Sequence, residues 1–223
     1  MMSGDKTQAL GDMTKEKLIM FFGSNAEPWA LHGVGMLRSA YVMWGVFWDR
    51  SKRTYQQLVE AGGKQTVPPE EFLDMCADRG VHAYKLLAAV AMENLAKGLL
   101  VAKGEVNIEN HRLPPWFLKH DIVRLVSQRA KIQLNECEKL ALEDCTKAII
   151  WQTRYPMPKD ADCLPTQFPR DGFVQRYNHP TDFRNLATRI LREYPAQAFN
   201  ELSVSGLIQI VERECPPVEA LKG

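Results

Sequence analysis

The stretch from Val81 to Lys103, VHAYKLLAAVAMENLAKGLLVAK, decides the fold. Ala88, Ala91, Met92, Leu95 and Leu99 recur at three- and four-residue steps along one side, while Leu86, Val90 and Leu100 line another. A helix that is apolar on more than one side has to be enclosed by other helices. Gly104 ends it, and the segment to Lys119, with Pro114-Pro115-Trp116-Phe117, is too proline-rich to carry it on. The flanking segments must therefore supply the covering faces.

Upstream, Val34, Leu37, Tyr41, Trp44, Trp48, Ser51, Tyr55 and Leu58 repeat at helical spacing, beside a second stripe of Met36, Ala40, Met43 and Phe47. This predicts a long core helix from Asn25 to about Leu58, stopping near Ala61-Gly62-Gly63, with Pro28 tolerated in its first turn. Pro68-Pro69 and Glu70-Glu71 open a short helix that stops at Gly80. Downstream, a fourth helix starts around His120-Asp121 and carries Ile122, Leu125 and Val126. A fifth starts at Asn135, with Glu138 placed to reach back in a capping box, and buries Ala141, Leu142, Cys145, Ala148 and Ile149. Pro156 and Pro158 stop it just after Trp151. Residues 159–180 form a long loop rich in proline, aspartate and glycine. Phe183, Leu186, Ala187, Ile190 and Tyr194 mark another amphipathic helix, and Val204, Leu207, Ile208 and Val211 a last short one. With no period-two run to compete, the expected class is all-α.

The 223 residues are 45% hydrophobic, enough to bury a substantial core in one domain. The formal net charge of +1 supplies no whole-molecule field toward nucleic acid or an anionic membrane, so any such contact needs a local patch. Five widely spaced cysteines with no secretory signal before them predict a reduced, cytoplasmic setting. The apolar run Leu18 to Phe22 falls far short of the ~20 residues of a membrane span. Residues 1–17 are polar with little periodicity, so 1–24 read as a mobile leader, 25–158 as the helical core, and 159–223 as the loop and C-terminal helices packed on it.

Glu93 and Lys97 stand four residues apart on the face that carries Leu86, Val90 and Leu100, so an ion pair is embedded in an apolar stripe. A buried pair loses several kcal/mol of hydration per ion and calls for a further hydrogen-bonding neighbour such as His120 or Arg154. Such a cluster either fixes helix register or faces a ligand. His120 at a helix start is either a capping or bridging residue or a group that exchanges protons near neutral pH. Arg154 either donates to the last carbonyls of the fifth helix or presents a guanidinium to phosphate.

Three pieces in order carry a family resemblance: Ala91-Met92-Glu93-Asn94-Leu95-Ala96-Lys97-Gly98-Leu99-Leu100, then His120-Asp121-Ile122-Val123-Arg124-Leu125, then Trp151-Gln152-Thr153-Arg154-Tyr155-Pro156. Together with the long first helix they resemble the HEPN (higher eukaryotes and prokaryotes nucleotide-binding) family over roughly Asn25 to Pro158. The resemblance implies an up-and-down helical bundle, a homodimer, and a cleft that takes a nucleotide, RNA or a protein partner. It makes Glu93, Lys97, His120, Arg124 and Arg154 the ligand-binding candidates.

The chain departs from that family at its nuclease motif, an arginine followed four to six residues later by histidine. Arg79 and His82 are too close, as are Arg176 and His179, and Arg112 and His120 are too far apart. RNA cleavage needs one group to take the 2′-hydroxyl proton and another to meet the developing charge. The first expectation is thus a binding module without catalysis. The alternatives are a divergent metal-independent ribonuclease using His120 with Arg154, or His179 with Arg176 in the loop cluster, and a structural or regulatory interaction protein.

Neither a metal nor a cofactor is expected. Cys137 and Cys145 lack a zinc-type partner and read as buried apolar cysteines, and no glycine-rich phosphate loop is present. A basic surface of Arg112, Lys119, Arg124, Arg129 and Lys131 is either a solvated face or a phosphate-binding one. Trp116 and Phe117 beside it serve as core lids or as platforms for unpaired bases.

Overall fold

The computed structural model of the chain describes residues 14–60, 79–147, 149, 179–200 and 202–216. Helices dominate: α1 Lys15–Ser24, α2 Glu27–Glu60, α3 Arg79–Ala102, α4 Ile122–Arg124, a π-helical turn Leu125–Arg129, α5 Glu136–Lys147, α6 His179–Arg192 and α7 Val204–Glu214. Among the described residues there is one isolated bridge, between Glu109 and Arg112, and no strand. The chain is all-α, as its periodicity predicts. The Pro68 helix, the Trp151 to Pro156 segment and the loop through residue 178 lie outside the described residues.

The centre is α3. Ala88, Ala91, Met92, Leu95, Leu99 and Leu100 are all fully buried, which explains why its sequence is apolar on two sides. It starts at Arg79, so Gly80 lies in its first turn instead of ending a preceding helix. It stops at Gly104, whose φ of 69° lies in the left-handed region open to glycine. There Gly104 N–H donates to Val101 O and Glu105 N–H to Leu100 O, the paired bonds of a Schellman ending.

α2 lies against α3 along most of its described length and runs antiparallel to it. Gly98 of α3 faces Ala26 and Trp29 of α2, Gly33 faces Ala91 and Leu95, and the Trp44 ring meets Tyr84 at 5.0 Å. A Cβ on Gly33 would stand 2.7 Å from Leu95 Cγ and 3.1 Å from the Ala91 carbonyl, so the two backbones approach only because that side chain is missing. While the side chains of Trp48, Ser51, Tyr55 and Leu58 lie outside the described residues, Val34, Leu37, Tyr41 and Trp44 are buried as anticipated for the long helix. Each such side chain contributes on the order of 1.5–3 kcal/mol by leaving water.

The structure also departs from the sequence reading at α1 and just after α4. Lys15–Ser24, assigned to a leader, is a helix: Thr14 caps it by accepting from Lys17 N–H at 3.4 Å, and Trp29 Nε1–H donates to Phe22 O at 2.6 Å, tying it to α2. The fourth helix opens where expected, with Asp121 accepting from Arg124 N–H at 3.1 Å, but widens at once into the π turn that Ala130 N–H closes onto Leu125 O.

The fifth helix begins as predicted. Asn135 Oδ1 accepts from Glu138 N–H at 2.8 Å while Glu138 Oε2 accepts from Asn135 N–H at 3.0 Å. Ala141, Leu142, Cys145 and Ile149 are buried, but Cys137 is exposed, against expectation. Eight residues advance only about 80° around a helix, yet this is enough to carry Cys137 off the buried face. α6 packs on α3, α7 packs on α2, and the two helices pack on one another, with Phe183, Leu186, Ile190, Leu207 and Val211 buried in the shared core, and Tyr194 O–H donates to Leu95 O at 2.7 Å. No described helix is long and apolar enough to cross a membrane.

Candidate functional site

Glu93 and Lys97 turn inward, each only 6% exposed, and form an ion pair within α3. Their four-residue spacing puts them on one face, and the apolar residues around them remove the water that would otherwise weaken the pair. His120, delivered by the loop before α4, supplies the additional partner: its Nδ1 lies 3.0 and 3.1 Å from the two Glu93 oxygens. An ionised carboxylate only accepts, so Nδ1 is the protonated nitrogen that donates, and Nε2 remains for other contacts. The Lys97 ammonium also sits 5.1 Å from the centre of the Phe117 ring and 6.0 Å from that of Trp29, within cation–π range.

Above this cluster opens a cleft of about 850 Å³ between α1, α2 and α3. Leu18, Ile19 and Phe22 of α1, Pro28, Trp29 and His32 of α2, and Leu86 and Val90 of α3 form mostly apolar walls. Glu93, Asn94, Lys97 and His120 supply the polar groups, and Leu113 and Ile149 complete the lining. A few convergent polar groups in an apolar, aromatic cleft of this size are the usual make-up of a small-molecule site. Phe117 is fully buried under the ammonium, and Trp29 packs edge-to-face on it at 5.3 Å, so the aromatic wall is rigidly backed.

Compared with known proteins, the chain matches no family model, and no curated protein or solved structure matches it either.

Of the residues singled out from sequence, Glu93, Lys97 and His120 come together. Arg124 does not: it is exposed at the end of α4 and does not line the cleft. Arg154 and Arg176 lie outside the described residues, as does the side chain of His179, whose backbone begins α6. Phe117 is a core residue, and the Arg129 guanidinium lies 4.6 Å from the centre of the Trp116 ring, so a base cannot stack on that covered face. Among the described residues no group of three or more His, Cys, Asp or Glu side chains is placed to hold a metal ion.

Trp29, His32 and Asn94 were not identifiable from sequence. Asn94 carries the one available signal, a polar residue adjoining Glu93 within an otherwise apolar run.

Proposed function

We propose that the protein is a helical binding module of the HEPN type, which holds a nucleotide, or an unpaired RNA base, in the cleft above Glu93, Lys97 and His120. The observation that carries this reading is the position of His120 on the buried Glu93 carboxylate, at the floor of a cleft with aromatic walls. A nucleobase is planar and mostly apolar on its faces, so it suits the Trp29 and Phe22 walls. Its edge carries donors and acceptors for Asn94, His32 and His120 Nε2. The floor already balances Glu93 with Lys97 and so carries no large excess charge of its own. Titration calorimetry with nucleoside monophosphates tests this. Saturable binding that Trp29→Ala weakens at least tenfold is expected, and equal affinity for both forms would remove the reading.

The same reading includes a homodimer. Leu31, Val42 and Val46 are exposed large apolar side chains within about 60° of one another around α2, with Val42 67% exposed. A stripe of this kind on a long helix suits a second copy of itself across a two-fold axis.

One observation favours catalysis. A carboxylate holding Nδ1 of an imidazole orients Nε2 for proton transfer, as a metal-independent ribonuclease requires. Incubation with total RNA tests it: cleavage abolished by His120→Ala would establish the enzyme, whereas intact RNA at high protein concentration would leave the binding module.

A further inference from the structure

A second pocket, of about 370 Å³, is lined by Lys131, Ile132, Gln133, Arg189, Arg192 and Glu193 and shares no residue with the cleft. Its cations are held there by the fold. The π turn ends on two backbone bonds, Ala130 N–H to Leu125 O at 2.9 Å and Ile132 N–H to Val126 O at 3.1 Å, and between them Lys131 takes a φ of 58°. That left-handed conformation strains a residue with a Cβ and is normally left to glycine or asparagine. Here it presents an exposed lysine beside the last turn of α6. π turns and strained residues concentrate at functional positions.

Arg189 is anchored by donating from Nη2 to the buried Glu138 Oε1 at 2.6 Å, and its Nε–H has no acceptor. Glu193, the carboxylate lining the pocket, lies 3.9 Å from Lys103. Lys131 and Arg192 have no acidic partner among the described residues. In the pocket lining, three cations, Lys131, Arg189 and Arg192, therefore meet one carboxylate, Glu193.

We infer that this pocket binds the phosphate group of a phosphomonoester. A surplus of two positive charges matches the roughly −1.5 to −2 of a monoester at neutral pH better than the single charge of a carboxylate or a phosphodiester. The guanidinium of Arg192 supplies a planar fork of donors and Lys131 a point charge, the two geometries that grip tetrahedral phosphate oxygens.

Inorganic phosphate and phenyl phosphate are the probes, read by the melting temperature of the full chain, with single-stranded RNA lacking a terminal phosphate as the diester arm. Saturable stabilisation by both probes is expected, lost in the Lys131→Glu/Arg192→Glu double variant and kept by Lys131→Arg. Both positions are exposed, so the double variant keeps the wild-type melting temperature in the absence of probe. Stabilisation that persists in the double variant, or its absence in the wild type, overturns the assignment. RNA competing better per phosphate than phenyl phosphate overturns it too, by removing the charge match.

Discussion

His120 Nδ1 lies 3.0 Å from one Glu93 carboxylate oxygen and 3.1 Å from the other, so a side chain that is 46% exposed is locked onto one that is 8% exposed. The contact links the interior of α3 to the lining of the cleft. Removing the imaginary boundary between packing and binding in this way has measurable effects. His120→Ala should cost about 1 kcal/mol of stability, as for one hydrogen bond to a charged group partly open to water, and should weaken nucleotide binding by more than tenfold. Urea unfolding and calorimetry on the same variant separate the two effects.

The Glu93 and Lys97 pair is stabilising only while both members are present. Lys97→Met leaves the carboxylate buried with His120 alone and should cost about 3–5 kcal/mol by urea unfolding. Glu93→Leu/Lys97→Met removes both charges and should recover most of that loss, because the apolar surroundings accept two apolar side chains without penalty. A double variant as unstable as the single one would mean that the pair is not enclosed.

Gly98 sets how closely α2 and α3 approach. A Cβ there would stand 2.8 Å from Trp29 Cβ and 3.3 Å from Ala26 O, positions fixed by the neighbouring backbone. Gly98→Ala should therefore destabilise by roughly 1–3 kcal/mol even though alanine favours a helix by about 1 kcal/mol over glycine. Thermal unfolding gives the sign directly.

Burial raises the pKa of Asp182, and the nearby Glu138 charge raises it further. The folded state thus holds this proton more tightly than the unfolded chain. The contribution to stability is complete below the ordinary aspartate value and is lost as pH rises through the raised one. Asp182→Asn should be more stable than wild type at neutral pH, and the advantage should vanish in acid below the ordinary aspartate range. An unchanged difference across that pH range, measured by denaturant midpoints, would contradict this.

Exposed Val42 and Val46 should govern self-association. Val42→Glu/Val46→Glu places two like charges on each copy in the proposed interface, so sedimentation should show a dimer for the wild type and a monomer for the variant. Neither residue is buried in the single chain, and unfolding of the variant monomer should be little changed.

Local rules explain what could be read from the sequence. The Asn135 and Glu138 capping box spans three residues and needs no tertiary partner, and the inward turn of Glu93 and Lys97 follows from their place among Leu86, Val90 and Leu100. The parts that escaped depend on distant contacts. α1 is weakly patterned and is tied down by a bond from Trp29 to Phe22, and Glu138 is both a cap and the partner of Arg189, 51 residues away. The π turn is closed by a bond five residues long, from Ala130 N–H to Leu125 O, which a three- and four-residue periodicity does not encode. The cleft itself belongs to no segment, since its walls come from three helices and the groups at its floor from α3 and the loop before α4.

The most direct measurement is a heteronuclear NMR titration of the full chain with a nucleoside monophosphate, following the Trp29 indole, the Asn94 side-chain amide and the His120 ring. The account predicts saturable shifts that share one dissociation constant across all three and are lost in His120→Ala. Shifts confined to other parts of the molecule, or none at saturating ligand, would contradict it.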